Sequence, residues 1–187
     1  PLMNCNTDFI DYPDTGYFSR LMIDYLHEDP SLKPFYTYSP RNPDFETAMA
    51  RRDAFPTDRA LLVSELNRQY EGMEIHERLR DNLALLERPD TYTVCTAHQP
   101  NLFTGYLYFV YKVLHAVKLA AFLDEKYPGR HFVPVYYMGS EDNDLDELGT
   151  VHVEGRTYRW QTAQKGAVGR MKPEELGTLI DQVTERL

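Results

Sequence analysis

A chain of 187 residues is long enough for one domain with an apolar core, or for one domain and part of another. Its formal net charge of −9 argues against nucleic acid as a partner, because phosphate binding needs clustered Lys and Arg. The two cysteines, Cys5 and Cys95, form no disulfide framework, and neither a leader pattern nor an apolar run of bilayer length occurs. We therefore expect no membrane association and a cytoplasmic location.

The first ninety residues are predicted to form a helical segment that packs on a larger core. Apolar residues at helical spacing, capping residues and prolines predict four helices there, over 14–26, over 44–54, from Asp58 onward and over 76–86. The inward side chains predicted for the third of these helices are Leu61, Leu62, Leu66 and Tyr70. This segment, residues 1–90, is expected to precede the first part of a catalytic core over 91–187.

A strand–helix–strand pattern begins at Thr91. β-Branched and aromatic residues predict a strand over 91–96, a polar loop follows over 97–105, and apolar spacing predicts a long helix over 106–126. A second apolar strand is predicted over 131–138, so the two strands should be parallel. The expected fold class is α/β, with a hairpin over 151–160 that turns at Glu154 and Gly155.

The last predicted helix starts near Pro173 and carries an apolar face. That face consists of Leu176, Leu179, Ile180, Val183 and Leu187. No stop signal follows it, so we interpret the chain as a fragment of a longer protein, truncated at its C-terminus. The apolar face is then expected to need a partner that the chain does not contain.

Polar side chains follow the first strand, where ligands bind in open α/β sheets. The residues concerned are Thr96, His98, Gln99, Asn101, Thr104 and Gly105. Free N–H groups at the start of the next helix suit a carboxylate or a phosphate. The alternative is that Thr104 only caps the helix and that His98 only forms a loop hydrogen bond.

Five carboxylates in seven residues follow the second strand. They are Glu141, Asp142, Asp144, Asp146 and Glu147. Such crowding suits a cation, a substrate ammonium group, sugar hydroxyls or Mg²⁺ carried by a nucleotide. The alternative is a solvated loop that caps the next helix. Elsewhere, Lys112 lies two helical turns from the ligand end, Cys95 is expected to be a small core residue, and no zinc site is expected.

The two strand-end motifs, TAHQPNLFTGYLY over 96–108 and FVPVYYMGSEDNDLDEL over 132–148, resemble the cysteine ligase family of bacillithiol biosynthesis. The resemblance covers most of the chain in order, with one departure: many members read Thr-Gly-Gln-Gln where this chain has Thr96-Ala97-His98-Gln99. It implies a Rossmann-like parallel sheet, related to nucleotidylyltransferases and class I synthetases. It also implies that the later part of the core and a C-terminal coiled coil lie outside this chain.

The resemblance further implies a ligase that adds L-cysteine to glucosaminyl-malate, through carboxylate activation. ATP and Mg²⁺ are compatible with that activation, no tightly bound cofactor or metal is expected, and a homodimer is compatible with the coiled coil. The catalytic candidates are His98, Glu141 and Asp142. The substrate-binding candidates are Gln99, Asn101, Thr104, Gly105, Lys112, Ser140 and Asp144.

Two other functions stay open on the sequence alone. One is a metal-dependent hydrolase or transferase that uses the carboxylates of the loop over 141–146, which predicts tight binding of Mg²⁺ or Mn²⁺. The other is a non-catalytic module whose acidic loop binds a partner, which predicts that no small molecule raises the melting temperature.

Overall fold

A computed structural model of the chain describes residues 8–186. These residues divide into two compact units, one that ends at Thr57 and one that begins at Asp58. The division groups the last two predicted N-terminal helices with the strands. The boundary predicted at residue 90 stays a prediction about domain organisation.

The first unit is helical. It contains α1 (Tyr12–Thr15), α2 (Arg20–Leu26), a 3-10 helix (Pro30–Phe35) and α3 (Phe45–Asp53). The helix predicted over 14–26 is confirmed from Arg20 to Leu26 as α2, but its predicted start is wrong, because Gly16 takes a left-handed conformation with φ 69° and ends the separate helix α1. Ser19 then caps α2 by accepting a hydrogen bond from the Met22 N–H. The predicted helix over 44–54 is confirmed, and Asp44 caps it.

The second unit mixes helices and strands. It contains α4 (Arg59–Gln69), α5 (Glu77–Leu86), β1 (Thr91–His98), α6 (Leu107–Lys126), β2 (His131–Met138), α7 (Leu145–Leu148), β3 (Thr150–Val153), β4 (Arg156–Arg159) and α8 (Gly177–Thr184). Short 3-10 helices cover Leu102–Thr104, Val168–Arg170 and Pro173–Leu176. Within residues 8–186, no helix combines the length and the apolar character needed to cross a bilayer.

The predicted α/β unit is confirmed. β1 and β2 pair in parallel, in a register that runs from Thr91 opposite His131 to His98 opposite Met138. Val133 packs with Val63 of α4 and Leu86 of α5. Side chains alternate along a strand, and Tyr136, three residues later, contacts Phe109 of α6. The helices α4 and α5 therefore lie on one face of the two strands, and α6 lies on the other.

The inward face predicted for α4 is partly wrong. Val63 is the buried residue, while Leu61 and Leu62 are 58% and 40% exposed. Leu66 and Tyr70, three and seven positions after Val63, share its face and are half-buried. Leu61 lies about 200° around the helix from Val63, at roughly 100° per residue, so it points away from the sheet.

The C-terminal part forms its own apolar cluster. The predicted hairpin is confirmed as β3 and β4, with Glu154 and Gly155 both at positive φ, as a tight hairpin turn requires. Leu179 of α8 packs with Trp160 and Val168, and Val183 is buried as well. The expectation that this helix needs a partner outside the chain is therefore wrong for Leu179 and Val183, which the chain itself buries. Leu187 lies outside the described residues.

Candidate functional site

The two polar loops predicted from the sequence begin side by side. β1 ends at His98 and β2 ends at Met138, and these residues are partners in the ladder. The Gly139 N–H extends the ladder by one bond, to the His98 carbonyl at 2.9 Å. Both loops therefore leave the same edge of the sheet, which is where ligands bind in open α/β folds.

A cavity of about 340 Å³ lies at this edge. Four of its lining residues were predicted from the sequence: His98, Gln99, Glu141 and Asp142. Its lining also includes Ala97, Tyr137 and Gly139. Ala97 and Tyr137 are ladder partners, and by strand alternation they share the sheet face of Val133. The cavity therefore lies on the face that α4 and α5 cover near the start of the strands.

Asp142 is held by groups from both loops. The Gln99 side-chain N–H donates to its Oδ2 at 3.1 Å, and the Asp144 backbone N–H donates to its Oδ1 at 2.9 Å. The Asp144 N–H, followed by the Gln99 amide, lowers the pKa of Asp142 below its usual value. Asp142 is therefore a carboxylate at neutral pH, and the bond from Gln99 fixes the distance between the two loops.

The Glu141 carboxylate contacts Tyr137, a residue that the sequence did not predict to belong to the site. The Tyr137 hydroxyl lies 3.3 Å from each carboxylate oxygen of Glu141 and donates to them. Both side chains are exposed. Tyr137 is 58% exposed, so it does not belong to an apolar core in the described residues. The pair offers a carboxylate and a hydroxyl to a ligand in the cavity.

The ring of His98 packs against α6, on the face of the sheet opposite to that of Ala97 and Tyr137. Its ring stacks on Tyr108 of α6 at 5.1 Å between centroids, and it is 5% exposed. Nδ1 accepts a hydrogen bond from the Gln99 N–H at 2.8 Å, so the neutral ring carries its proton on Nε2. Nε2 is buried and has no partner among the described residues. This geometry shows the His98 ring holding the Gln99 backbone, and the predicted catalytic role of His98 stays a prediction.

Three other predicted residues of the first loop do not line the cavity. The Asn101 side chain donates to the Gln99 carbonyl at 2.9 Å and lies against Nδ1 of His98. A Cβ on Gly105 would lie 2.7 Å from the Asn101 Cβ, so this glycine allows the side chain of Asn101 to pack. Thr104 has φ 70° and does not cap α6, which begins after Tyr106 without a side-chain cap. Thr104 therefore leaves the N–H groups at the start of α6 uncapped, and the anion site predicted there stays a prediction.

Lys112, Ser140 and Asp144 also lie outside the cavity lining. The Lys112 ammonium lies over the Tyr108 ring at 5.8 Å from its centroid. Asp144 caps α7, since its Oδ1 accepts from the Glu147 N–H at 3.0 Å, as the alternative interpretation of the acidic loop predicts. Ser140 is exposed, and its carbonyl accepts from a distant backbone N–H. Their substrate-binding roles stay predictions without geometric support.

Cys95 is exposed, so its expected place in the core is wrong. Its ladder partner Val135 still packs against the cluster of Val63, Leu86 and Val133, so at this level the cover reaches β2 and not β1. Side-chain alternation on β2 is the sequence signal that could have indicated Tyr137, because it places this residue opposite Ala97 at the strand end.

The charge of the cavity lining is negative. Glu141 and Asp142 line it, and no lysine or arginine does so in the part of the chain that the structure describes. Within residues 8–186, no group of three or more His, Cys, Asp or Glu side chains is arranged to hold a metal ion. The arrangement therefore suits an ammonium group or sugar hydroxyls, which carboxylates and a tyrosine hydroxyl bind by hydrogen bonds.

The chain matches a known domain family along almost its whole length. Residues 3–187 match the family described as "Bacillithiol biosynthesis BshC, N-terminal Rossmann-like domain". The match confirms the resemblance stated from the strand-end motifs, and it confirms the Rossmann-like fold class.

Curated relatives agree with this match. Proteins named "Putative cysteine ligase BshC" from Flavobacterium psychrophilum, Flavobacterium johnsoniae and Cytophaga hutchinsonii are 42%, 40% and 37% identical to the chain. The alignments cover 91%, 94% and 92% of this chain, but 33%, 34% and 33% of those relatives. The chain therefore spans about a third of the length of the curated relatives that it matches.

Proposed function

The chain belongs to the BshC family of bacillithiol biosynthesis as its N-terminal Rossmann-like domain, and from this membership we propose that the protein joins L-cysteine to glucosaminyl-malate, giving bacillithiol. The observation that carries the proposal is the acidic cavity at the paired strand ends, in which Gln99 holds Asp142 and Tyr137 meets Glu141. Both reactants carry an amine that such a lining can bind, and we assign the glucosamine amine to the cavity because it is the nucleophile of the reaction.

The reaction forms one amide bond. We take the cysteine carboxyl group to be activated beforehand as an acyl phosphate or acyl adenylate. The amine nitrogen attacks its carbonyl carbon, the C–N bond forms, the C–O bond to the phosphate or adenylate breaks, that group leaves, and the nitrogen gives up a proton. Asp142 is suited to hold the ammonium form of the amine, because its lowered pKa keeps it charged. Glu141 is the proposed proton acceptor, and the Tyr137 hydroxyl orients its carboxylate.

The cavity side chains do not fit a nucleoside triphosphate. Phosphate groups need lysine, arginine or a cluster of free N–H groups, whereas two carboxylates line this cavity. The start of α6 lies beyond Gly105 and does not line it either. We therefore assign the cavity to the amine reactant and not to ATP or Mg²⁺. A cytoplasmic location is proposed as well, since thiols are kept reduced there.

Thiol profiling by mass spectrometry tests the proposal. Cells that lack the gene should lose bacillithiol and accumulate glucosaminyl-malate, and the full-length wild-type gene should restore the thiol. A full-length gene carrying Asp142→Asn should restore it poorly, because the amide keeps the shape of the side chain without its charge. Persistent bacillithiol in the deletion strain would show that the protein does not catalyse this step.

A further inference from the structure

A turn from far along the chain holds the acidic loop by its backbone. The Val168 N–H donates to the Asp142 carbonyl at 2.8 Å, and the Gly169 N–H donates to the Ser140 carbonyl at 3.1 Å. These two bonds lie on either side of Glu141. The backbone of the loop is therefore fixed at the two positions between which a proposed catalytic residue stands.

The turn is itself anchored in the apolar cluster of the second unit. Val168 is 8% exposed and packs with Leu148, Trp160 and Leu179. A buried side chain in such a cluster moves little, because the interior is close-packed. The two hydrogen bonds therefore connect the acidic loop to the apolar cluster and not to another exposed loop.

Gly169 leaves no room for a side chain. A Cβ at this position would lie 2.5 Å from the Ser140 Cβ, 2.8 Å from the Ser140 carbonyl oxygen and 2.9 Å from its Cα. Two of these three atoms belong to the backbone, so a flexible side chain cannot relieve the contact by rotating. Any larger residue at 169 must displace the backbone of the acidic loop.

We propose that Val168 and Gly169 are positioning residues for the acidic loop, which set where Glu141 and Asp142 meet the amine substrate. Neither residue lines the cavity, so both act through the loop that they hold. The consequence for substrate binding rests on the proposed function. The two hydrogen bonds that hold the loop do not depend on the proposed function, and their strength can be measured even in a protein without activity.

Gly169→Ala in the full-length protein tests the proposal with two measurements. Hydrogen exchange should become about tenfold faster at the amides of residues 168 and 169, which donate the two bonds, and at the loop amides over 140–144, whose backbone these bonds hold. The KM for glucosaminyl-malate should rise about tenfold or more, since small displacements of positioned groups cost large factors. A variant that was merely less stable would lose active enzyme and apparent kcat at an unchanged KM.

Gly177→Ala is the matched control. Its Cβ would meet nothing within 4 Å, and Gly177 already has helical φ and ψ values of −51° and −51°. Exchange in 140–144 and the KM should both stay at the wild-type values in this variant. Unchanged exchange in Gly169→Ala would overturn the proposal, and so would faster exchange at an unchanged KM.

The two proposals fail in different ways. If the wild-type protein ligates no cysteine, the proposed function fails, while the exchange measurement still decides whether the turn holds the loop. If Gly169→Ala does not fold, Val168→Ala replaces it, because this variant keeps both backbone bonds but shortens the anchoring side chain. Exchange in 140–144 should then rise by a smaller factor, and no rise would overturn the proposal.

Discussion

Glu141 and Asp142 are neighbours in the sequence, but their surroundings differ. Asp142 accepts hydrogen bonds from Gln99 and Asp144, and these donors lower its pKa. A proton acceptor works best with a pKa near the working pH, so Asp142 is better suited to hold a positive charge. Glu141 accepts from the exposed Tyr137 hydroxyl alone among the bonds that the structure shows for it. The two carboxylates therefore suit two different roles.

Replacing Glu141 by glutamine tests this division of roles. The full-length Glu141→Gln variant should lose about 10²-fold or more in kcat, because loss of a general base costs that range, and its KM should change less. Bacillithiol formation followed by mass spectrometry gives both constants. Glu147→Gln is the control, since Glu147 belongs to the same acidic run but lies outside the cavity lining. Equal losses in both variants would contradict the assignment.

At the scale of elements, the sequence predicts where three helices start better than it predicts which face of a helix is buried. Asp44, Asp58 and His76 each cap a helix close to the predicted start, because a cap depends on neighbours within one turn. The apolar residues of α6 show that helical spacing alone does not identify the buried face. Leu107, Leu114 and other residues at helical spacing predicted the helix, yet Leu107 is 68% and Leu114 53% exposed. Spacing identifies a helix, while tertiary packing decides which side is buried.

Paired alanine substitutions on α6 measure this asymmetry. In the purified 187-residue chain, Leu123→Ala should lower the free energy of unfolding by about 2–5 kcal/mol, because Leu123 is 1% exposed and its removal leaves a cavity. Leu114→Ala should change it by no more than about 0.5 kcal/mol, since an exposed leucine loses few contacts. Urea denaturation gives both values. Similar losses would mean that Leu114 is covered.

The site was predictable only where it depends on strand ends. A polar loop after each of two parallel strands is enough to predict a shared edge of the sheet, and four residues of these loops do line the cavity there: His98, Gln99, Glu141 and Asp142. Thr104 was misplaced because Phe103 and Thr104 both take positive φ, a local turn that no residue type there signals. The hold of Val168 on Asp142 spans 26 positions, and such long-range contacts leave no trace in a single sequence.

At the scale of the whole molecule, acidic residues determine how the charge responds to pH. The chain has a net charge of −9, and four carboxyl groups among the described residues have pKa values clearly below the usual range. The groups are those of Asp29, Asp44, Asp90 and Asp142. A carboxyl whose pKa is lower in the folded state stabilises the fold above its unfolded pKa of about 3.9. That contribution is lost as the pH falls through the folded value.

Asp90 offers the clearest measurement of this effect. Arg88 donates two hydrogen bonds to it, at 2.9 and 2.7 Å, and lowers the pKa of Asp90 to about 2. Asp90→Asn should therefore be less stable than the wild type from pH 7 down to about pH 4, and the difference should shrink towards zero near pH 2. Urea denaturation at pH 7, 4, 3 and 2 measures it. The difference should stay small, because solvent screens this exposed pair.

Arg88→Gln provides the matched variant for the same pair. It should lose the same stability at pH 7 as Asp90→Asn, and the double variant should lose little more, because either change alone removes the interaction. Additive losses would show that the two side chains act separately at the turn between α5 and β1. A difference between wild type and Asp90→Asn that is equal at every pH would contradict the titration argument, because the loss would then not come from the carboxylate charge.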